Sequence, residues 1–152
     1  MPLYNPANAV AYAHKWAFLR NPRYGDFSNL GGDCTNFISQ CLRAGGLPMD
    51  YSPVLGWFYN SMSSRSPSFT GVEFLYSYLT GGGNPAARVT DFRNIVPGNV
   101  IQLSFDGLTF AHSLLVVGAD SEITVATHSY DADNRPLSSY EYAAARGLSI
   151  TR

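Results

Sequence analysis

Cys34 and His112 are the two residues in this chain whose chemistry is worth joining. Cys34 lies in Gly31-Gly32-Asp33-Cys34-Thr35-Asn36-Phe37-Ile38-Ser39-Gln40-Cys41. Two glycines give a flexible turn, and Asp33 is a residue type that caps helices. Phe37, Ile38, Cys41 and Leu42 follow at the spacing of one apolar helix face. A thiol in the first turn of such a helix faces unpaired backbone N–H groups, which favour the thiolate, the reactive form. A nearby histidine can accept the thiol proton and later protonate a departing amine. His112 stands at the beginning of a strand candidate, residues 111–117, and His128 closes the next one, residues 123–128. A third polar residue has to hold the imidazole in the right tautomer. His128 is the first candidate to orient His112, with Asp131, Asn134 and the more distant Asn99 as rivals. The competing interpretation is a capped core helix that contains a buried, inert cysteine.

The rest of the chain must bring these residues together. Residues 7–19 read as a helix capped by Asn5 or Asn8 and ended by Asn21-Pro22. His14 on it is expected to pack or hydrogen-bond rather than to catalyse. Tyr24, Asp26 and Phe27 form an aromatic loop before the thiol. The cysteine helix runs over residues 34–44, where Gly45-Gly46 stops it. Residues 61–70, with five serines, read as loop, and residues 72–79 as a short helix stopped by three glycines. Beyond Arg88 the hydrophobic period changes. Residues 96–99 make a turn and residues 100–105 a strand. Asp106-Gly107 is a hairpin signal, and the two histidine-bearing strands follow. Residues 135–137 are turn or edge material, Ser139 begins a last short helix through residue 145, and residues 148–151 add an edge strand. Helices first and an antiparallel sheet afterwards define an α+β fold, organised as a single domain over residues 1–152.

Composition narrows the function. Ten basic and eleven acidic residues leave a net charge of −1 with no basic block, which argues against nucleic acid. Two cysteines and three histidines, without a paired-cysteine motif, give no basis for a structural zinc site, and no cofactor is expected. Cys34 and Cys41 on one helix lie roughly 10 Å apart along its axis, too far for a disulfide. No basic start followed by a long apolar run marks a signal peptide. The longest strongly apolar run, residues 114–117, falls far short of the ~20 residues that span a membrane, so no transmembrane segment is expected. An excised domain of a secreted protein has the same features. No serine sits in a Gly-x-Ser-x-Gly elbow.

The Gly-Gly-Asp-Cys-Thr-Asn-Phe-Ile-Ser-Gln-Cys block with Gly45-Gly46 resembles the signature of the bacterial family called the putative amidase domain. So do Tyr12-Ala13-x-x-Trp16 with Asn21-Pro22-x-Tyr24, Gly98-Asn99-Val100-Ile101-Gln102, His112-Ser113-x-x-Val116-Val117 and Thr127-His128-Ser129, in order along nearly the whole chain. These domains are similar to NlpC-type and CHAP-type cell-wall peptidases with a papain-like fold. The resemblance implies a cysteine amidase or peptidase of Gram-positive cell walls, cutting peptidoglycan peptide or amide bonds through an acyl-enzyme. It makes Cys34 the nucleophile, His112 the base and His128 the third member. Asp33 is expected to cap and order the thiol turn. The Cys34 backbone N–H, aided by Tyr24 or Asn36, is expected to stabilise the oxyanion. An extracellular or wall-associated, monomeric, metal-independent domain is implied. The alternative is a noncatalytic wall-binding or glycan-binding module, its tyrosines and tryptophans stacking on sugars, although Trp16 and Trp57 each read better as core residues.

Overall fold

The computed structural model describes residues 3–152. Helix α1 covers Pro6–Trp16 and α2 covers Cys34–Ala44. A two-stranded hairpin follows, β1 Tyr59–Ser61 with β2 Ser64–Arg65, then α3 Pro67–Thr70 and α4 Val72–Thr80. The large sheet comprises β3 Ala87–Thr90, β4 Val100–Ser104, β5 His112–Gly118, β6 Thr124–Thr127, β7 Ala132–Pro136 and β8 Ala144–Ile150. Its order is β3-β8-β4-β5-β6-β7, antiparallel throughout. The α+β arrangement expected from the sequence is thus present. None of the described helices is long and apolar enough to cross a membrane.

Both faces of the sheet are covered, which explains why β4 and the first half of β5 are continuously buried instead of alternating. On one face Val100, Leu115, Ala126 and Leu148 meet Phe37, Ile38, Cys41 and Leu42 of α2 and Ala9 and Ala13 of α1. On the other, Ile101, Leu103, Leu114, Val116 and Val125 form a second core with Ile95 and Leu137. Two consecutive strands therefore send odd and even positions into different cores, and a side chain's parity decides which chemistry it can join.

Helix α2 runs from Cys34 to Ala44, as its sequence pattern predicts, and nine of its residues are buried. It ends in a complete glycine stop. Gly46 has φ +101°, its N–H bonds the Arg43 carbonyl at 2.9 Å, and the Leu47 N–H bonds Leu42 at 3.1 Å. Three segments differ from expectation. The serine-rich loop holds a hairpin and α3, because Ser66 and Ser68 bond Phe58 and Gly56 backbone groups instead of water. β3 forms before the predicted change of period. The helix expected from Ser139 is absent. Only a 3-10 turn over Leu137–Ser139 forms, and β8 starts at Ala144 and inserts between β3 and β4. Seven ladder residues between two strands outweigh a short helix with no tertiary partner.

Candidate active site

Two left-handed glycines, Gly31 (φ +98°) and Gly32 (φ +109°), turn the chain into α2. Both line a cleft of about 510 Å³ together with Cys34, Phe105, Ala111, His112, Ser129, Tyr130, Arg135, Tyr140 and Glu141. The N-terminus of α2 and the first residue of β5 thus face one space. Thr35 Oγ1 and Ser113 Oγ lie 2.8 Å apart and tie the thiol's helix turn to the strand that carries His112.

Cys34 is 7% exposed and His112 8%. Burial pushes the thiol above its ordinary pKa. The Ser113 and Thr35 backbone N–H groups and the Thr35 hydroxyl, 3.8 Å from Sγ, pull the other way but less strongly. Burial, followed by the Arg135 charge, lowers His112 to about 4. Both shifts favour the uncharged forms, a thiol and a neutral imidazole that line one cleft, and among the described residues no hydrogen bond joins them. The helix N-terminus does favour thiolate, as the sequence argument has it, but desolvation outweighs it here. Among the described residues neither ring nitrogen of His112 has a hydrogen-bond partner. Its aromatic neighbours are Phe105 and Tyr140, with ring centroids 6.4 and 6.1 Å away.

His128 does not orient His112. It lies 1% exposed on the helix side of the sheet, stacked on Phe37 at 4.0 Å between centroids. Its Nδ1 meets Asp33 Oδ2 at 2.5 Å. Its Nε2 lies 2.8 Å from the Trp16 carbonyl and 3.1 Å from Arg20 Nη1, donating to the first or accepting from the second according to tautomer. The register is the reason. Leu115 pairs with Ala126 and Val116 with Val125, so His128 follows the parity of Ala126 and Leu115, whereas His112 follows Leu114 and Val116. The rivals are engaged elsewhere too. Asp131 pairs with Arg20 at 3.1 Å, and the Asn99 side chain accepts the Val96 N–H at 3.0 Å within its turn. Asn134 is an exposed left-handed residue of β7.

Asp33 occupies the N-cap position, but its side chain makes no capping bond. With φ −109° and ψ 3° the backbone lacks the extended conformation that folds a cap side chain over the first turn. The carboxylate instead accepts from the Phe27 N–H at 2.8 Å and Asn36 Nδ2 at 2.9 Å, and it meets His128. Asn36 also donates to the Gly25 carbonyl at 2.9 Å, so it braces the preceding loop rather than pointing into the cleft. Tyr24 packs between Tyr59 and Phe69, with centroids 5.1 and 5.9 Å away, and does not line the cleft either. The expected oxyanion roles of these two side chains therefore have no geometric basis. Among the described residues the Cys34 N–H, the first of the helix and at the cleft, has no hydrogen-bond partner.

Three contributors escaped the sequence argument. Ser129 Oγ accepts the Asp33 N–H at 2.9 Å, and Ser129 in the Thr127-His128-Ser129 motif was the available signal. Arg20 joins Asp26, Asp33 and Asp131 into one charged cluster behind the thiol turn. Tyr140 walls the cleft from a segment that read as helix. His14 pairs with Asp133 at 2.8 Å, in keeping with a hydrogen-bonded role. Trp57 is fully buried with Nε1 on Ser39 at 3.1 Å, so it is no sugar platform.

Residues 3–151 match the family described as "Putative amidase domain". The chain is 39% identical over 153 residues to "Uncharacterized protein YhbB" of Bacillus subtilis (strain 168), an alignment covering 97% of this chain and 48% of that protein. It is 30% identical over 145 residues to "Uncharacterized protein YjcM" of the same organism, covering 88% of this chain and 32% of that protein. The chain thus spans about half and about a third of these relatives. No solved structure matches it. With its cysteine at a helix start, its histidine at a strand start and a family match from end to end, the chain belongs to the Putative amidase domain family.

Proposed function

We propose that this domain is a cysteine-dependent amidase or peptidase, related to the papain-like cell-wall enzymes, that cleaves peptide or amide bonds of peptidoglycan at or outside the cell surface. The observation that carries the proposal is that Cys34 and His112 line one cleft, with the first N–H of α2 beside the thiol. As Sγ attacks the scissile carbonyl carbon, its proton passes to His112. The carbonyl oxygen takes up the negative charge and accepts from the Cys34 N–H. When the C–N bond breaks, His112 returns the proton to the leaving amine. A water then attacks the thioester with His112 as base, releasing the acid and restoring the thiol. A neutral His112 can accept that proton, whereas an imidazolium cannot, so its low pKa keeps the base available down to acidic pH. Asp33, His128, Ser129 and Arg20 hold the turn that presents Sγ and touch no reacting atom.

The test is turnover of defined peptidoglycan fragments followed by mass spectrometry. Wild type should release fragments and accumulate a covalent acyl adduct on Cys34 at early times. Cys34→Ala should do neither, and His112→Ala should form the adduct at least a hundredfold more slowly. Equal cleavage by wild type and Cys34→Ala would overturn the reading.

A further inference from the structure

We propose that Arg135 is a substrate-binding residue that makes this cleft select amides carrying a carboxylate close to the scissile bond. The inference rests on reading the cleft as an amidase site. Arg135 belongs to β7 and is the one Lys or Arg among the residues lining the cleft. Its Nε donates to Ser139 Oγ at 2.8 Å and its Nη2 to the Ser139 carbonyl at 3.2 Å. The guanidinium carbon lies 3.7 Å from the centre of the Tyr140 ring. These contacts fix the plane of the group but supply no counter-charge. Among the described residues no carboxylate pairs with Arg135, and Nη1 makes no hydrogen bond. The clustered arginines elsewhere differ in this respect: Arg20 is paired with Asp131, and Arg146 with Glu73.

A flexible surface arginine without a partner means little. Arg135 is half-buried, held by a neighbouring serine and stacked on an aromatic wall, so its orientation is already set before a ligand arrives. It also stands close enough to the reacting groups for its charge to bear on the His112 imidazole. The surrounding walls, Phe105, Ala111, Tyr130 and Tyr140, are apolar or aromatic and reduce the competing solvation of an anion. Glu141, the carboxylate lining the same cleft, forms no ion pair with Arg135. It adds a reason for selectivity, because a ligand anion must sit on the arginine side and not beside Glu141. The ligand chemistry is thus a planar carboxylate near an amide carbonyl, as in an acidic residue flanking the cleaved bond.

The experiment uses a matched pair of muropeptides, one bearing a free glutamyl carboxylate and the other the corresponding carboxamide. Binding is measured by calorimetry on Cys34→Ala, which cannot turn over, and kcat/KM on the wild-type catalytic pair. The carboxylate probe should bind and react about ten- to a hundredfold better than the carboxamide. Arg135→Met should erase that ratio, bringing the carboxylate probe down to the carboxamide in both binding and kcat/KM, and Arg135→Glu should invert it. Equal binding of the two probes by Cys34→Ala would overturn the inference. So would a folded Arg135→Met that loses both probes equally, since that is the signature of a residue that merely braces β7 against Tyr140. If Arg135→Met does not fold, Arg135→Lys provides the second variant. It keeps the charge but loses the fork, so it should retain a reduced preference, and an unchanged preference would count against bidentate recognition. Turnover of both probes at equal rates sinks the carboxylate site and leaves the amidase reading standing. A carboxylate preference in binding, with no turnover of either probe, does the reverse.

Discussion

Replacing His112 by Gln should make the protein more resistant to acid, and the size of the effect follows from the burial of the ring. An unfolded histidine titrates near 6.5, while burial and Arg135 hold folded His112 at about 4. Between those values the unfolded chain binds a proton that the folded chain refuses, so stability rises with pH. The folded state has its full stability above the unfolded pKa and loses it as pH falls through 6.5 towards 4, with no further loss from this group below that. Integrated over that window, the penalty relative to neutral pH is about 2 kcal/mol at pH 5 and about 3 kcal/mol at pH 4. Gln keeps polarity and approximate size but does not titrate. Urea unfolding of both proteins at half-unit steps from pH 7 to pH 4 isolates the difference, because carboxylates and the other two histidines contribute equally to each. The gap between the curves should close from its neutral value by those amounts. Parallel curves that shift by less than about 0.5 kcal/mol between pH 7 and pH 5 would show that His112 titrates normally. The neutral resting pair, on which the catalytic sequence depends, would then be wrong.

Four further outcomes are expected. The acid limb of kcat/KM should have its midpoint near 4, because protonated His112 cannot accept the thiol proton, and a midpoint above 6 would contradict the buried imidazole. Asp33→Ala strips the partner from buried His128, the Phe27 N–H and Asn36 together, so urea melts should register a loss of about 3–5 kcal/mol. Wild-type stability in that variant would remove Asp33 from the frame of the site. Gly98→Ala places a Cβ 2.4 Å from Pro6 Cβ on a backbone with φ +93°, and thermal unfolding should show a cost of at least about 2 kcal/mol. Finally, thiol chemistry needs no bound cation, so a chelator should leave turnover unchanged, and inhibition by chelator that zinc reverses would refute this.

The chain made α1, α2 and α4 legible, but not α3 or the absence of a helix after Ser139, and its sheet only partly so. Helix α2 was readable at both ends because a glycine turn, an apolar face and a Gly-Gly stop agree on one answer, and the helical period survives burial on all sides. Strands β4 and β5 were readable because the apolar pair Val100-Ile101 and the run Leu114–Val117 lie on either side of the Asp106-Gly107 turn. β3 was not, being four residues long, and of β8 only the end, expected as an edge strand over 148–151, was read: its first half, Ala-Ala-Arg-Gly, is poor in strand formers and is held by β4 across a long separation. Of the site, Cys34 and His112 could be singled out because each begins an element. The partners of each histidine could not, because register is a tertiary property. One residue's difference in strand parity sends His128 to Phe37 and Asp33 and leaves His112 on the opposite core.

That parity divides the labour between the two histidines. His128 sits between Asp33, Trp16 and Phe37, with both ring nitrogens occupied, so it has no free atom to offer a substrate. Its partner Asp33 directly precedes Cys34 in sequence and donates its own N–H to Ser129 Oγ. Any displacement of His128 is therefore transmitted to the first turn of α2 within one residue of Sγ. His112 has the opposite character. It is walled by rings, has no hydrogen-bond partner among the described residues and lies in the cleft with Cys34, so both its ring nitrogens are left unengaged. Burial first and then the Arg135 charge hold it below its ordinary pKa, so the imidazole stays neutral at mildly acidic pH. The Asp33 carboxylate is thus placed where it orders the first turn of α2, and His112 is kept neutral by burial and by the Arg135 cation.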